Sequence, residues 1–142
     1  LIPVALALHL SGTSWGGAPP ASAVLAGLAA ITGHVFPLYL RFQGGKGVAT
    51  STGVFLVLSP WALLGATVVW GAVFAAWRYV SLASICAAGA LAAGAWLFTP
   101  DPLGAGIYVA IFATAGAAAI IALHHANIAR LLRGEEDKIG AE

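Results

Sequence analysis

Charge is what this chain has least of. Only 8% of its 142 residues are Asp, Glu, Lys or Arg, against about a quarter in a soluble domain. So few ionisable groups cannot cover a water-facing surface, which excludes the soluble globular classes and leaves an integral membrane protein, 61% hydrophobic. Cysteine is nearly absent too: Cys86 stands alone, so no internal disulfide can form. No zinc-ligand spacing and no nucleic-acid-binding pattern is present, so neither a metal, a cofactor nor a nucleic-acid partner is expected. No internal repeat is visible, and no basic region precedes the first apolar run as a signal peptide would require. The chain opens at Leu1, inside an apolar stretch, and therefore reads as a fragment whose N-terminal part is absent.

Apolar runs make up most of what remains. Residues 1–10 amount to about 15 Å of helix, half a bilayer, and read as the end of a span. Ser11 to Pro20 is an uncharged Gly/Pro/Ser loop, and residues 21–40 form a full span ending at Arg41. Residues 48–77 carry no charge, and as one helix they would be about 45 Å long, too long for a ~30 Å hydrocarbon core. Ser59-Pro60 divides them, because proline breaks the hydrogen-bond ladder and restricts its predecessor. The result is a short helix over 48–58, about 16 Å long, and a full one over 61–77. The short helix must lie within the protein or line a cavity. Residues 80–98 and 103–123 span again, separated by the turn Thr99-Pro100-Asp101-Pro102. The expected fold is all-α: a polytopic membrane bundle of about five spans plus the end of another, forming one domain over 1–142.

The few charges test this topology. If 48–58 and 61–77 cross separately, Arg41, Lys46, Arg78, Arg130, Arg133 and Lys138 fall on one side and Asp101 alone on the other. The positive-inside rule then places the basic side in the cytoplasm. A single crossing would split the basic residues between sides. Two crossings are favoured, and they bring Lys46, Arg78 and the tail to one face. Small residues four apart, such as Ala90 and Gly94, Gly106 and Ala110, and Ala113 and Ala117, predict close helix packing.

Three stretches could carry chemistry. Lys46 lies among Gly44, Gly45 and Gly47, where glycine lets backbone amides turn onto an anion and the ammonium adds a full charge. It is not a Walker A loop, since Gly47 rather than Ser or Thr follows the lysine. His34, three residues before Pro37, either orients this loop or contacts substrate. Ser81 and Ser84 share one helical face beside Arg78; on residue type alone they are helix-packing donors. His124, Asn127 and Arg130 follow at three-residue spacing, putting a switchable imidazole, an amide and a fixed cation on one edge. Read without context, that edge is a basic juxtamembrane helix gripping lipid headgroups. His125 reads as solvent-facing, and His9 and Cys86 as packing residues.

These stretches also carry a resemblance. Gly33 to Thr50 follows G-H-x-[FY]-P, a short apolar stretch, then G-G-K-G-V-A-T. Tyr79 to Ser84 is a second match, and His124 to Glu136 reads H-x-x-N-I-x-R-L-x-x-G-x-E. Together they resemble the PlsY family of bacterial acyl-phosphate:glycerol-3-phosphate acyltransferases, small seven-helix inner-membrane proteins. The resemblance implies acyl transfer from acyl phosphate to the 1-hydroxyl of glycerol 3-phosphate, yielding lysophosphatidic acid. It implies Lys46, His124 and Asn127 as catalytic residues, and His34, Gly44, Gly45, Gly47, Ser81, Ser84 and Arg130 as substrate contacts. Glu136 is implied as a structural residue near the site. The expected partners are glycerol 3-phosphate, acyl phosphate and membrane lipid, with a monomer compatible with the bundle. The family's first helix and first signature loop, roughly G-S-G-N-x-G-A-T-N, do not occur within the chain, which alone is expected to be inactive. Two other classes fit the bare pattern: a small transporter or channel for an anionic metabolite, since half-helices and basic vestibules occur there as well, or a non-catalytic membrane subunit.

Overall fold

The computed structural model describes residues 1–12, 19, 21–41 and 44–140. Most of the loop expected over Ser11 to Pro20, and Phe42 and Gln43 of the signature, lie outside the described residues. The described residues hold seven α-helices and no strand: α1 (Ile2–Leu10), α2 (Ala21–Val35), α3 (Val48–Leu58), α4 (Pro60–Trp77), α5 (Val80–Phe98), α6 (Ile107–Leu123) and α7 (His125–Arg133). A 3-10 turn, Leu38–Leu40, follows α2.

The division at Ser59-Pro60 is present. Ser59 adopts an extended φ of −154° and Pro60 opens α4 at its first turn, where its missing N–H is harmless. Two expected boundaries move. The span over 21–40 is not one continuous helix: α2 stops at Val35 because Phe36 precedes Pro37, and the chain then winds as a 3-10 turn to Arg41 in the left-handed region. Ala21–Leu40 taken together is nevertheless long and apolar enough to cross a membrane, as are α4 and α5. The span over 103–123 begins late, at Ile107. Asp101 winds residues 101–106 into a turn: its Oδ2 accepts the Ala105 N–H at 2.9 Å and its carbonyl accepts those of Gly104 and Gly106. A 56° bend separates α6 from α7, and the pair becomes a fourth candidate span only if taken as one.

Contacts at the two ends fix the hairpins. Ser59, between α3 and α4, meets Thr99, at the end of α5, with hydroxyl oxygens 3.3 Å apart. At the other end, Arg78 after α4 hydrogen-bonds Ile139 of the tail, and Lys46 before α3 reaches Asn127 of α7. The helices α3 and α4 therefore run out and back, as the two-crossing reading requires. The short α3 sits in the protein's interior: Val54, Phe55, Val57 and Leu58 belong to the core with Val4, Ala62, Leu91, Val109 and Phe112. The Phe55 and Phe112 rings stack at 5.5 Å.

Small residues let these helices close up. A Cβ on Gly27 would lie 2.7 Å from Val54 and 3.3 Å from Phe112, and one on Gly94 would lie 3.0 Å from the Ala62 backbone. Ala110, Ala113 and Ala117 are buried, whereas Gly106 serves the turn before α6 rather than a span. His9 is a correction: it is exposed on α1 rather than packed, since that helix turns Val4 and Leu8, with Ala5 and Ala7 beside them, toward the core. Cys86 is half-buried on α5.

Candidate functional site

The glycine loop folds back on the end of α2. The Gly45 N–H donates to the His34 carbonyl at 3.4 Å. A Cβ on Gly44 would strike the carbonyls of His34 and Val35, and one on Gly45 would meet the His34 ring. Both glycines thus serve a close approach of chain to chain, and at least the Gly45 amide is used inside the protein rather than left for an anion. Gly47 caps α3 in the left-handed region, φ 79°, where glycine is unstrained. It offers no capping side chain, so the first amides of α3 have no side-chain partner. That helix start, next to Lys46, carries partial positive charge.

Lys46 is the junction with the far end of the chain. Its Nζ donates to Asn127 Oδ1 at 2.5 Å across 81 residues. Asn127 Nδ2 donates to Glu136 Oε1 at 2.7 Å, and Arg130 Nε donates to Glu136 Oε2 at 2.7 Å. The Glu136 side chain is only 8% exposed. Burial pushes its carboxyl up, but hydrogen bonds from Asn127 and Arg130, the nearby Ser81 hydroxyl and the Arg130 charge outweigh this and hold it below the ordinary 4.5. The buried Ser81 hydroxyl makes no hydrogen bond of good geometry, though it lies close enough to favour the Glu136 charge.

His124 closes the α6 side of this cluster. It is 3% exposed, and its Nδ1 lies 2.7 Å from the Ile120 carbonyl. A carbonyl only accepts, so Nδ1 carries the hydrogen and Nε2 is the nitrogen left for other partners. Ser84 Oγ donates to the Val80 carbonyl at 2.8 Å and accepts from Trp70 Nε1 at 3.3 Å.

A cavity of about 660 Å³ joins these groups. Lys46, Ser81, Ser84, His124, Asn127 and Glu136 line one part of it, and Leu63, Ala66, Ala87, Ala88, Leu91 and Ile120 line another. Leu91 lies seven residues beyond Ser84 on α5, so the cavity extends about 10 Å along the helices. Its polar part includes one lysine against Glu136, already paired with Arg130, and the exposed Asp137.

Of the residues singled out from sequence, six therefore meet in one cavity, and Arg130 joins through Glu136. His34, Gly44 and Gly45 shape the loop beside it without lining it, and Gly47 is buried at the start of α3. His125 is exposed, its Nδ1 against the Ala122 carbonyl. Sequence reasoning missed Trp70, Thr52, Asp137 and Ile139 on the lining. Nothing in the sequence marked Trp70 out, since α4 also carries Trp61, Phe74 and Trp77.

Polar groups on one part of a cavity and aliphatic residues on another, in a bundle with, among the described residues, three helices long and apolar enough to cross a membrane, or four if α6 and α7 are one span, mark a membrane protein. The comparisons make this definite: a family model described as glycerol-3-phosphate acyltransferase matches residues 1–134, and the chain belongs to that family. It is 44% identical over 142 residues to the glycerol-3-phosphate acyltransferase of Syntrophotalea carbinolica, covering 99% of this chain and 66% of that protein. It is 49% identical over 123 residues to that of Halorhodospira halophila, covering 86% and 59%. Among solved structures, PlsY (YgiH), an integral membrane glycerol 3-phosphate acyltransferase, matches in its glycerol 3-phosphate form with TM-score 0.83 and 37% identity, over 98% of this chain and 64% of that one. Its lysophosphatidic acid form matches with TM-score 0.82. The chain thus spans about two thirds of the length of these relatives.

Proposed function

We propose that the protein transfers an acyl group from acyl phosphate to the 1-hydroxyl of glycerol 3-phosphate, forming 1-acylglycerol 3-phosphate (lysophosphatidic acid) for phospholipid synthesis. The observation that carries this is the Lys46–Asn127–Glu136 chain of contacts at the polar part of an otherwise aliphatic cavity. Lys46 and the amides at the start of α3 hold phosphate oxygens. Asn127, Ser81 and Ser84 add neutral donors, and Arg130 acts through Glu136. The acyl chain lies along Leu63, Ala66 and Leu91, toward the lipid.

Acyl phosphate is a mixed anhydride and needs no covalent enzyme intermediate. The glycerol oxygen attacks the acyl carbon, the carbon–oxygen bond to phosphate breaks, and phosphate leaves with the electron pair. The hydroxyl proton passes to that phosphate or to His124 Nε2. Catalysis is then positioning and charge stabilisation. The protein works as a monomer in the bacterial inner membrane, with Lys46, Arg78 and the tail on the cytoplasmic face by the positive-inside rule. Its 142 residues belong to a single acyltransferase domain.

The test is product formation from acyl phosphate and glycerol 3-phosphate by the gene-encoded protein in vesicles. Lys46→Ala should lower turnover by about a hundredfold or more, as loss of a charged transition-state donor does. Near-normal turnover would remove Lys46 from the site.

A further inference from the structure

Trp70 is the largest side chain on the cavity wall, and its polar atom touches another member of the lining. It stands on α4, with Leu63, Ala66 and Thr67 on the wall in the two turns before it. Its indole N–H crosses to α5 and donates to Ser84 Oγ at 3.3 Å, and its ring stacks on Phe74 at 5.1 Å and 17°. Ser84 is 5% exposed and spends its own hydrogen on the Val80 carbonyl. A serine hydroxyl can rotate among three staggered positions. A donor fixed on a neighbouring helix removes most of that freedom. An oxyanion only accepts, so the hydroxyl hydrogen, now on the Val80 carbonyl, is the part of Ser84 that can swing to an incoming phosphate while the indole holds the oxygen in place.

We propose that Trp70 is a positioning residue for the acyl transfer: its indole N–H holds Ser84 in the orientation that meets the substrate phosphate, while its ring forms the wall where the polar part of the cavity gives way to the aliphatic part. An indole suits that junction because one edge is polar and the faces are apolar. The inference rests on the acyltransferase reading above. It separates two functions of one side chain, so they can be removed one at a time.

The experiment is a double-substitution cycle on the gene-encoded protein in vesicles, following kcat/KM with acyl phosphates of several chain lengths. Trp70→Phe keeps a ring and loses the N–H. It should lower kcat/KM about fivefold, the worth of one hydrogen bond, equally for all chain lengths. In a Ser84→Ala background the same change should have no further effect, because the hydroxyl it acts through is gone. Trp70→Ala should in addition change the ranking of chain lengths. If Trp70→Phe unfolds the protein, benzothienylalanine at position 70, which keeps the indole shape without the N–H, replaces it in the cycle. Equal losses from Trp70→Phe in both backgrounds, or no loss in either, would overturn the inference while leaving the acyltransferase reading in place. No lysophosphatidate from the unsubstituted protein would overturn both.

Discussion

Asn127 is held between opposite charges. The Lys46 ammonium can only donate, so it takes the amide oxygen; the Glu136 carboxylate can only accept, so it takes the amide nitrogen. No other orientation of the amide satisfies both neighbours. Asn127→Asp should therefore fail although it is nearly isosteric: its second oxygen would face Glu136, and two carboxylates at hydrogen-bond distance repel. We expect activity to fall at least tenfold in the transfer assay, with Asn127→Asp recovering partly when Glu136 is also changed to Gln. Glu136 itself makes a pH prediction. Its folded pKa lies below the ordinary 4.5, so its stabilising contribution is present above the unfolded value and is lost as pH falls through the folded one. Protection of residues 134–140 against hydrogen exchange, relative to the intrinsic rate at each pH, should fall as pH drops below the ordinary carboxylate range, and Glu136→Gln should flatten that acid limb.

Among the elements, the short α3 decides where the lysine sits. Eleven residues reach about 16 Å from the Ser59 end, while the 18 residues of α4 reach about 27 Å. The glycine loop before α3 folds back on the end of α2, and that close approach demands glycine for a steric reason that differs between positions. A Cβ at 44 meets backbone oxygens that cannot move, whereas one at 45 meets the tip of the His34 side chain. Gly44→Ala should therefore be the more damaging change to thermal stability and activity, and the effect of Gly45→Ala should shrink in a His34→Ala background. The tail is tied down as well. Arg78 Nε donates to the Ile139 carbonyl at 2.7 Å, the Ile139 N–H returns to the Arg78 carbonyl, and Lys138 lies over the Tyr79 ring at 5.5 Å. Arg78→Ala should raise amide exchange at Ile139 and Gly140 severalfold, a change mass-resolved exchange reads directly.

At the scale of the whole molecule, sidedness is the property to measure. In a Cys86→Ala background, cysteine placed at Glu135 should react with a membrane-impermeant thiol reagent only from the cytoplasmic face, and cysteine at Asp101 only from the opposite one. Cysteine at Arg41 should react from the same face as cysteine at Glu135; its labelling from the face of Asp101 would break the hairpin of α3 and α4, because a single crossing over 48–77 puts its two ends on opposite sides. Much of this organisation was legible in the sequence. Prolines at 37, 60, 100 and 102 divide apolar runs, and Arg41, Lys46 and Arg78 mark their ends, because a proline cannot continue a helix and a charge resists the hydrocarbon. The residues around Lys46 and His124 were legible as well, since polar groups stand out against an apolar background. What the sequence could not assign is which way each helix faces. Lipid and protein core are both apolar, so α3 to α6 carry no polar side to mark the outside. Only the tertiary structure could therefore pair Lys46 with Asn127, turn Trp70 toward Ser84, and set Glu136 between Asn127 and Arg130, because those meetings depend on helix rotation and close packing rather than on composition along the chain.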